Sequence, residues 1–304
     1  MRILKYVGFI TLVFFASVSS ADEGPKIMVI NSNASIDKYR IAQKEFTKSL
    51  PNPVMEVDLG GKKPKLREIE NFLYDQYPDL VYCIGTKAYL LANQFISDRN
   101  IVFSSIIDWQ RLPMAEKTCG VSNELSPEMQ ITLFRYMFPG LNKIGVLFSP
   151  KYNKHWFKKA EQAAKDMGIH LIGRPLSKKR KTLSELKELV KEIDALWLIS
   201  DPVILAGKET VAHLFKLCDE QLIPILTYHS AFAEYGAMMI ISVDHATTGR
   251  QAAAMTREVL SKDTVHEKVQ LPVGSHIILN LKKADEYGLK YGEAALGAVN
   301  WIIE

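Results

Sequence analysis

Two sets of polar residues stand just past short apolar runs in this chain. In the first half they are Asn31, Ser32, Asn33, Gly85, Thr86, Ser104 and Ser105. In the second half they are Ser149, Tyr152, Asn153, Asp201, Tyr228, His229 and Ser230. Their chemistry is that of holding a small molecule. Glycine at position 85 lets a ligand approach the backbone, and Thr86 can cap a helix or donate its hydroxyl. A ligand carboxylate at that helix start would meet free N–H groups. Asp201, before Pro202, can pair with a ligand ammonium in a water-excluded cleft or can serve as a turn or N-cap aspartate. Asp244 follows another apolar run and can either bind ligand or fix a hinge. Asp108 and Arg111 suit a ligand with polar ends, or each other. Trp109, Tyr152, Trp156, Tyr228 and Phe232 in the same segments would wall a flat apolar group.

Covalent chemistry fits these residues poorly. No GxSxG, HExxH or P-loop pattern occurs. His229, Ser230 and Asp244 contain the types of a hydrolytic triad, but His229 and Ser230 are adjacent and no strained nucleophile turn surrounds the serine. The three cysteines form no CxxC pair and no Cys/His cluster, so neither a disulfide framework nor a zinc site is expected. Cys83 sits in the apolar run Leu80–Ile84, Cys218 in a helical pattern, and Cys119 before a glycine in an expected loop. No cofactor is expected. With 38 basic and 34 acidic side chains the formal charge is +4, too balanced for a nucleic-acid partner. The basic run Lys178–Lys181 reads as a solvated loop.

The elements that position these residues repeat one theme, a short apolar run followed by an amphipathic helix. Runs at 26–30, 54–57, 80–84 and 101–103 alternate with helical patterns at 35–50, 65–74 and 86–95. A turn-rich stretch over 112–120 breaks the alternation, and a helix over 127–138 bridges to its restart. Runs at 144–148, 169–172, 195–199, 224–226 and 238–243 then alternate with helices over 154–167, 182–193, 203–218 and 248–260. Non-alternating apolar strands linked by helices belong to parallel sheets covered on both faces. The segment 272–281 reads as an extended crossing, Trp197 as core, and Trp301 as packing against a tail helix. The chain is thus an α/β protein of two doubly wound units. Ligands of such sheets sit beyond the carboxyl ends of the strands, so two facing units leave a cleft between them.

The N-terminus has a different character. Arg2 and Lys5 precede an apolar stretch from Tyr6 to Val18, and Ser19-Ser20-Ala21 offers a signal-peptidase site. Residues 1–21 are expected to be a secretory signal, with Asp22 starting the mature chain. Their removal lowers the formal charge from +4 to +2.

Several fragments also resemble a known family. They are Gly120-Val121-Ser122 leading to Pro127-Glu128, Phe138-Pro139-Gly140, and Lys143 through Pro150. Asp194-Ala195-Leu196-Trp197-Leu198 with Asp201-Pro202, Gly249 through Ala253, and Leu279 through Ala284 complete the set. In order and spacing they resemble the periplasmic substrate-binding proteins of ABC transporters, tryptophan/tyrosine type, over the whole mature chain. The resemblance implies the periplasmic-binding-protein type 1 fold, two Rossmann-like lobes joined by three crossovers. By that analogy residues 22–127 and 244–272 form the first lobe, and residues 128–243 and 273–304 the second. It implies an exported, periplasmic, non-catalytic monomer that closes around a small solute, an amino acid (aromatic in the family's usual case) or a similar small organic molecule. The partner would be an ABC permease of the inner membrane; a membrane sensor reading the same closure is the alternative. The two-lobed effector domains of transcription repressors carry a DNA-binding segment where this chain has its leader. Where the family commonly has a glycine-rich turn, this chain has Asp108–Met114, which puts direct transfer of aromatic specificity in doubt.

Overall fold

The computed structural model describes residues 24–61, 66–261 and 267–304. The expected leader, 1–21, lies outside the described residues. The chain opens with β1 (Ile27–Asn31), α1 (Asp37–Lys48), β2 (Val54–Asp58), α2 (Leu66–Gln76), β3 (Leu80–Ile84), α3 (Thr86–Phe95), β4 (Asn100–Ile106) and β5 (Thr118–Ser122). It continues through α4 (Pro127–Met137), β6 (Lys143–Phe148), α5 (Pro150–Asp166), β7 (His170–Pro175), α6 (Thr182–Leu189) and β8 (Ala195–Leu198). Then come α7 (Lys208–Glu220), β9 (Ile225–Thr227), β10 (Met239–Val243), α8 (His245–Leu260) and β11 (Val269–Gln270). It ends with β12 (Ser275–Asn280), α9 (Leu281–Glu286) and β13 (Trp301–Ile303).

These strands form two sheets. The first has the order β11-β5-β4-β3-β1-β2 and is parallel throughout. The second has the order β13-β12-β10-β9-β8-β6-β7. It is parallel except where β12 meets β10. The chain passes between the sheets three times, after β5, after β10 and after β11. In each sheet the first strand in sequence (β1, β6) lies between its second and third, which makes a switch point where loops diverge and a crevice opens.

Burial explains the apolar runs. All five residues of β1 and of β3 are buried, as both-faced strands require. One face of the first sheet is covered by α2 and α3, through Leu73, Ala88 and Leu91. The other is covered by α1 and α8, through Phe46, Ala252 and Met255. In the second sheet α4 and α5 cover one face and α6 and α7 the other. Phe46 stacks on Tyr82 with ring centroids 4.0 Å apart. The α1–α8 contact is so close that a Cβ added to Gly249 would lie 2.3 Å from the Ala42 carbonyl oxygen.

Caps fix several boundaries. The Ser126 hydroxyl accepts from the Met129 N–H at 3.1 Å, and Pro127 occupies the first turn of α4. Gly168, at φ +69°, turns the chain out of α5.

Four expectations need correction. The stretch 112–120 is not all turn: its last residues begin β5, a buried strand, because Thr118–Ser122 pairs with β4 on one side and β11 on the other. Cys119 therefore lies in a strand and not a loop. The helix expected from 203 begins at Lys208, because the Asp201 carboxylate ties residues 203 and 204 into a turn. Trp301 stands in β13, paired to β12 at Ile278, and is 58% exposed. The segment 272–281 crosses between sheets and supplies β12.

Candidate functional site

Both sheets direct their strand ends at a single large cleft of about 1120 Å³. From the first sheet come the start of α1, the loop after β4 and the segment following β5. From the second come the start of α5 and the loops after β8, β9 and β10, with His276, Ile278 and Trp301 closing the rear.

Nine of the expected residues line this cleft: Asp108, Arg111, Tyr152, Asn153, Trp156, Tyr228, His229, Ser230 and Asp244. Asp108 is left-handed at φ 55°, and its N–H donates to Glu124 Oε1 at 2.5 Å. Its carboxylate pairs with Arg111 at 3.1 Å, and the Arg111 guanidinium lies over the Tyr152 ring. A bridge from the first lobe to the second thus stands at the cleft mouth. Burial pushes the Asp108 carboxyl up, Arg111 pulls it down and Asp201 pushes it up again, with a net upward shift. Glu124 is likewise raised, chiefly by burial. The Tyr228 hydroxyl is raised by burial, against a hydrogen bond with Ser200.

Asp244 has a structural task as well as a place in the wall. It is the N-cap of α8: Oδ1 accepts from Ala246 N–H at 2.9 Å and Thr247 N–H at 3.4 Å, and Oδ2 from the Thr247 hydroxyl at 2.6 Å. Burial works against its charge, yet these bonds prevail and hold the carboxyl below its ordinary value.

The apolar part of the wall is aromatic. Trp156 and Trp197 line the cleft and meet edge-on at 4.7 Å, with Tyr152 and Tyr228 beside them. Trp197 is core by burial and still contributes to the floor. Phe232 packs near Tyr228, 5.9 Å between ring centroids, without reaching the cleft. Trp109 packs against the first core instead.

Ser149, Asp201 and the expected residues of the first half up to Ser105 stay off the cleft wall, most of them held by hydrogen bonds within their own lobe. Asp201 is 1% exposed. Its Oδ2 accepts from Ser149 N–H at 2.6 Å and Asn153 Nδ2 at 2.7 Å, and its Oδ1 from Val203 N–H at 2.8 Å and Ile204 N–H at 3.2 Å. The carboxylate is fully committed inside the second lobe and has no lone pair facing a solute, so its reading as an ammonium partner is replaced by that of a loop organiser. Asn31 Nδ2 donates to Gln43 Oε1 at 2.6 Å while its Oδ1 accepts from Asn33 N–H. Ser32 Oγ accepts from Ala88 N–H at 3.1 Å, in the first turn of α3. Asn33 Oδ1 accepts from the Ser35 hydroxyl at 2.6 Å. Gly85, at φ +83°, is covered by Tyr39, whose ring lies 3.1 Å from where a Cβ would be. Thr86 is exposed in α3 and does not cap it, since Gly85 is the N-cap. Ser104 Oγ is hydrogen-bonded to the Tyr82 hydroxyl at 2.6 Å. Ser105 is buried and left-handed at φ 60°.

Sequence reasoning missed Lys38, Glu124, His245 and His276, all of which line the cleft. His245 directly follows Asp244 at a strand-to-helix junction, so the rule that found Asp244 reached within one residue of it. Lys38 lies in the first turn of α1, beyond the loop that follows β1. His276 sits within a strand and carries no local signal.

Comparisons with known proteins agree with this architecture. The family model described as ABC transporter substrate binding protein matches residues 59–300. A tyrosine-binding protein of Clostridioides difficile (strain R20291) is 23% identical over 249 residues, spanning 76% of this chain and 70% of that protein. Among solved structures, a substrate-binding protein with adhesive properties from Clostridium difficile, ligand-free and open, matches with a TM-score of 0.72 and 17% identity, over 92% of this chain and 99% of that one. An ABC domain from Streptococcus pneumonia in complex with L-Trp matches with a TM-score of 0.59 and 20% identity, over 91% of this chain and all (100%) of the other.

Proposed function

The chain belongs to the ABC transporter substrate-binding protein family, and from that premise we propose that it captures an amino acid, with an aromatic side chain, between its two lobes. Proteins of this family are periplasmic or secreted solute receptors that serve an importer and catalyse no reaction. The finer assignment is carried by one observation: the cleft combines an aromatic wall with carboxylates and a cluster of basic side chains. Trp156, Tyr152 and Tyr228 form the wall. Asp108, paired with Arg111, and Glu124 supply the carboxylates, and Lys38 lines the cleft with His229, His245 and His276. A zwitterion with a flat side chain is complementary to all three features. The names of the similar proteins, one tyrosine-binding and one solved with L-Trp, support the same class.

Solute contacts on both lobes would stabilise the closed form relative to the open one, and the permease would read that form. The deciding experiment is titration calorimetry on mature protein, unfolded and refolded to strip carried-over solute. L-tyrosine, L-tryptophan and L-phenylalanine are expected to bind saturably, and L-alanine or L-leucine much more weakly. Silence towards every amino acid would overturn the assignment.

A further inference from the structure

We infer that Lys38, His229, His245 and His276 form a receptor for an oxyanion carried by the solute, and that filling it draws the two lobes together. The inference rests on reading the cleft as the solute site.

The four side chains come from separate elements and line one cleft. Lys38 is in the first turn of α1 and His245 is the first residue of α8, both packed on the first sheet. His229 follows β9 and His276 lies in β12, both of the second sheet. Basic side chains carried by both sheets thus meet in the space that closure must narrow.

The acids nearest to them are engaged elsewhere, though Asp244 still acts on His245. Asp37 pairs with Arg40 at 2.5 Å. Glu45 pairs with Arg250 at 2.7 Å. Asp244 is committed to capping α8, and that cap also takes up the Ala246 and Thr247 amides. Lys38 has no ion pair among the described residues; its ammonium lies 5.2 Å from the Tyr39 ring centroid. Elsewhere in the cleft wall Asp108 is held by Arg111, and Glu124 and Glu128 are accompanied by Lys151, His155 and Lys159.

A second observation points to a missing partner. The Nδ1 atom of His245 is buried and accepts or donates no hydrogen bond. An unpaired buried polar atom is costly, and native structures rarely retain one without a reason. Surrounded by Lys38, His229 and His276, that nitrogen is suited to meet an anion as a protonated donor. Burial first, and Lys38 next, hold its pKa down to about 4 against the upward pull of Asp244, with His229 and His276 adding to the lowering, so the empty receptor keeps this ring neutral at pH 7. A bound oxyanion supplies the missing counter-charge and favours protonation. His229 works differently. Its Nδ1 accepts from Ala231 N–H at 3.1 Å, which leaves the ring proton on Nε2. Burial and then Lys38 depress its pKa, so it offers an Nε2–H donor without becoming charged. A metal cation would be the wrong occupant: Lys38 repels it, and no group of three metal-ligating side chains is assembled among the described residues.

Linkage gives the sign. His245 gains affinity for protons when the anion binds, so anion affinity must rise as pH falls from 8 towards 6, by at most about tenfold per pH unit for each proton taken up.

The test follows histidine ring resonances by NMR while sodium sulfate is titrated into stripped protein against sodium chloride of equal ionic strength. Saturable shifts of His245 and His276, with a raised His245 midpoint, are expected. Lys38→Met should weaken that response at least tenfold with melting temperature retained. No saturable shift, or an undiminished one in Lys38→Met, overturns the receptor. A second arm compares each amino acid that binds with its carboxamide, in buffers of different ionisation enthalpy. The carboxylate form should bind at least tenfold tighter and take up a proton. Equal binding of both forms without proton uptake sinks the receptor and leaves the amino-acid assignment standing. A sulfate response beside a silent amino-acid panel does the reverse.

Discussion

The guanidinium of Arg111 lies 4.2 Å from the centroid of the Tyr152 ring. Arg111 follows β4 of the first sheet and Tyr152 begins α5 on the second, so this contact spans the cleft. A cation over an aromatic face is worth about 0.5–1 kcal/mol when partly exposed. Because the contact joins the two lobes, it favours approach of the lobes before any solute arrives. Arg111→Ala should therefore weaken solute binding by about two- to fivefold, the same free energy expressed as an equilibrium. X-ray scattering should show a larger radius of gyration for the unliganded variant. An unchanged affinity with an unchanged radius would mean that the contact does not bias closure.

Asp201 illustrates the opposite case, a carboxylate turned inward. Removing it strands the Ser149, Val203 and Ile204 amides and the Asn153 side chain, all bonded to it in the native protein. Asp201→Ala is expected to cost about 2–4 kcal/mol of stability in the absence of solute. Urea denaturation checks this. A variant as stable as the parent, with binding alone lost, would restore Asp201 to direct solute contact.

The α8 cap carries a pH signature. Asp244→Ala should lower stability by about 1 kcal/mol, while Asp244→Asn should retain most of it, as capping depends on a side-chain oxygen. The Asp244 carboxyl titrates below its ordinary 3.8 in the folded protein. Its charged form is thus favoured by folding. The contribution is present above about pH 4 and is lost as pH falls through the folded value. Thermal melts of parent and Asp244→Ala without solute, between pH 7 and 3, should draw closer at the acid end by the part of the cap that depends on charge, the neutral carboxyl keeping its accepting oxygen. Parallel curves would show that the charge is immaterial.

Much of the architecture was legible because buried parallel strands leave a plain mark. Leu80–Ile84 is apolar at every position, and all five residues are buried. Thr118–Ser122 was not legible: its glycine and the preceding turn residues mask a strand whose regularity comes from partners on both sides, one of them only two residues long. The site divides along a similar line. Loops after parallel strands point to the cleft, and that rule found Tyr152 and Tyr228. The same rule cannot tell a free side chain from one already engaged by its neighbours, as with Asn31, Ser32 and Asp201. The basic cluster was hidden for another reason. Lys38, His245 and His276 are separated by long stretches of sequence, and only the fold of both sheets brings them to one cavity.

The order in which the chain visits its sheets bears on how an exported protein matures. Neither sheet is complete when the chain reaches Asp244. The first still lacks α8, which covers β3, β4 and β5, and it lacks its edge strand β11. The second lacks β12 and β13 beside β10. A chain emerging from its N-terminus therefore cannot seal either core until its final segments arrive. Such distant pairing slows folding, which suits a polypeptide that must stay threadable while it crosses a membrane.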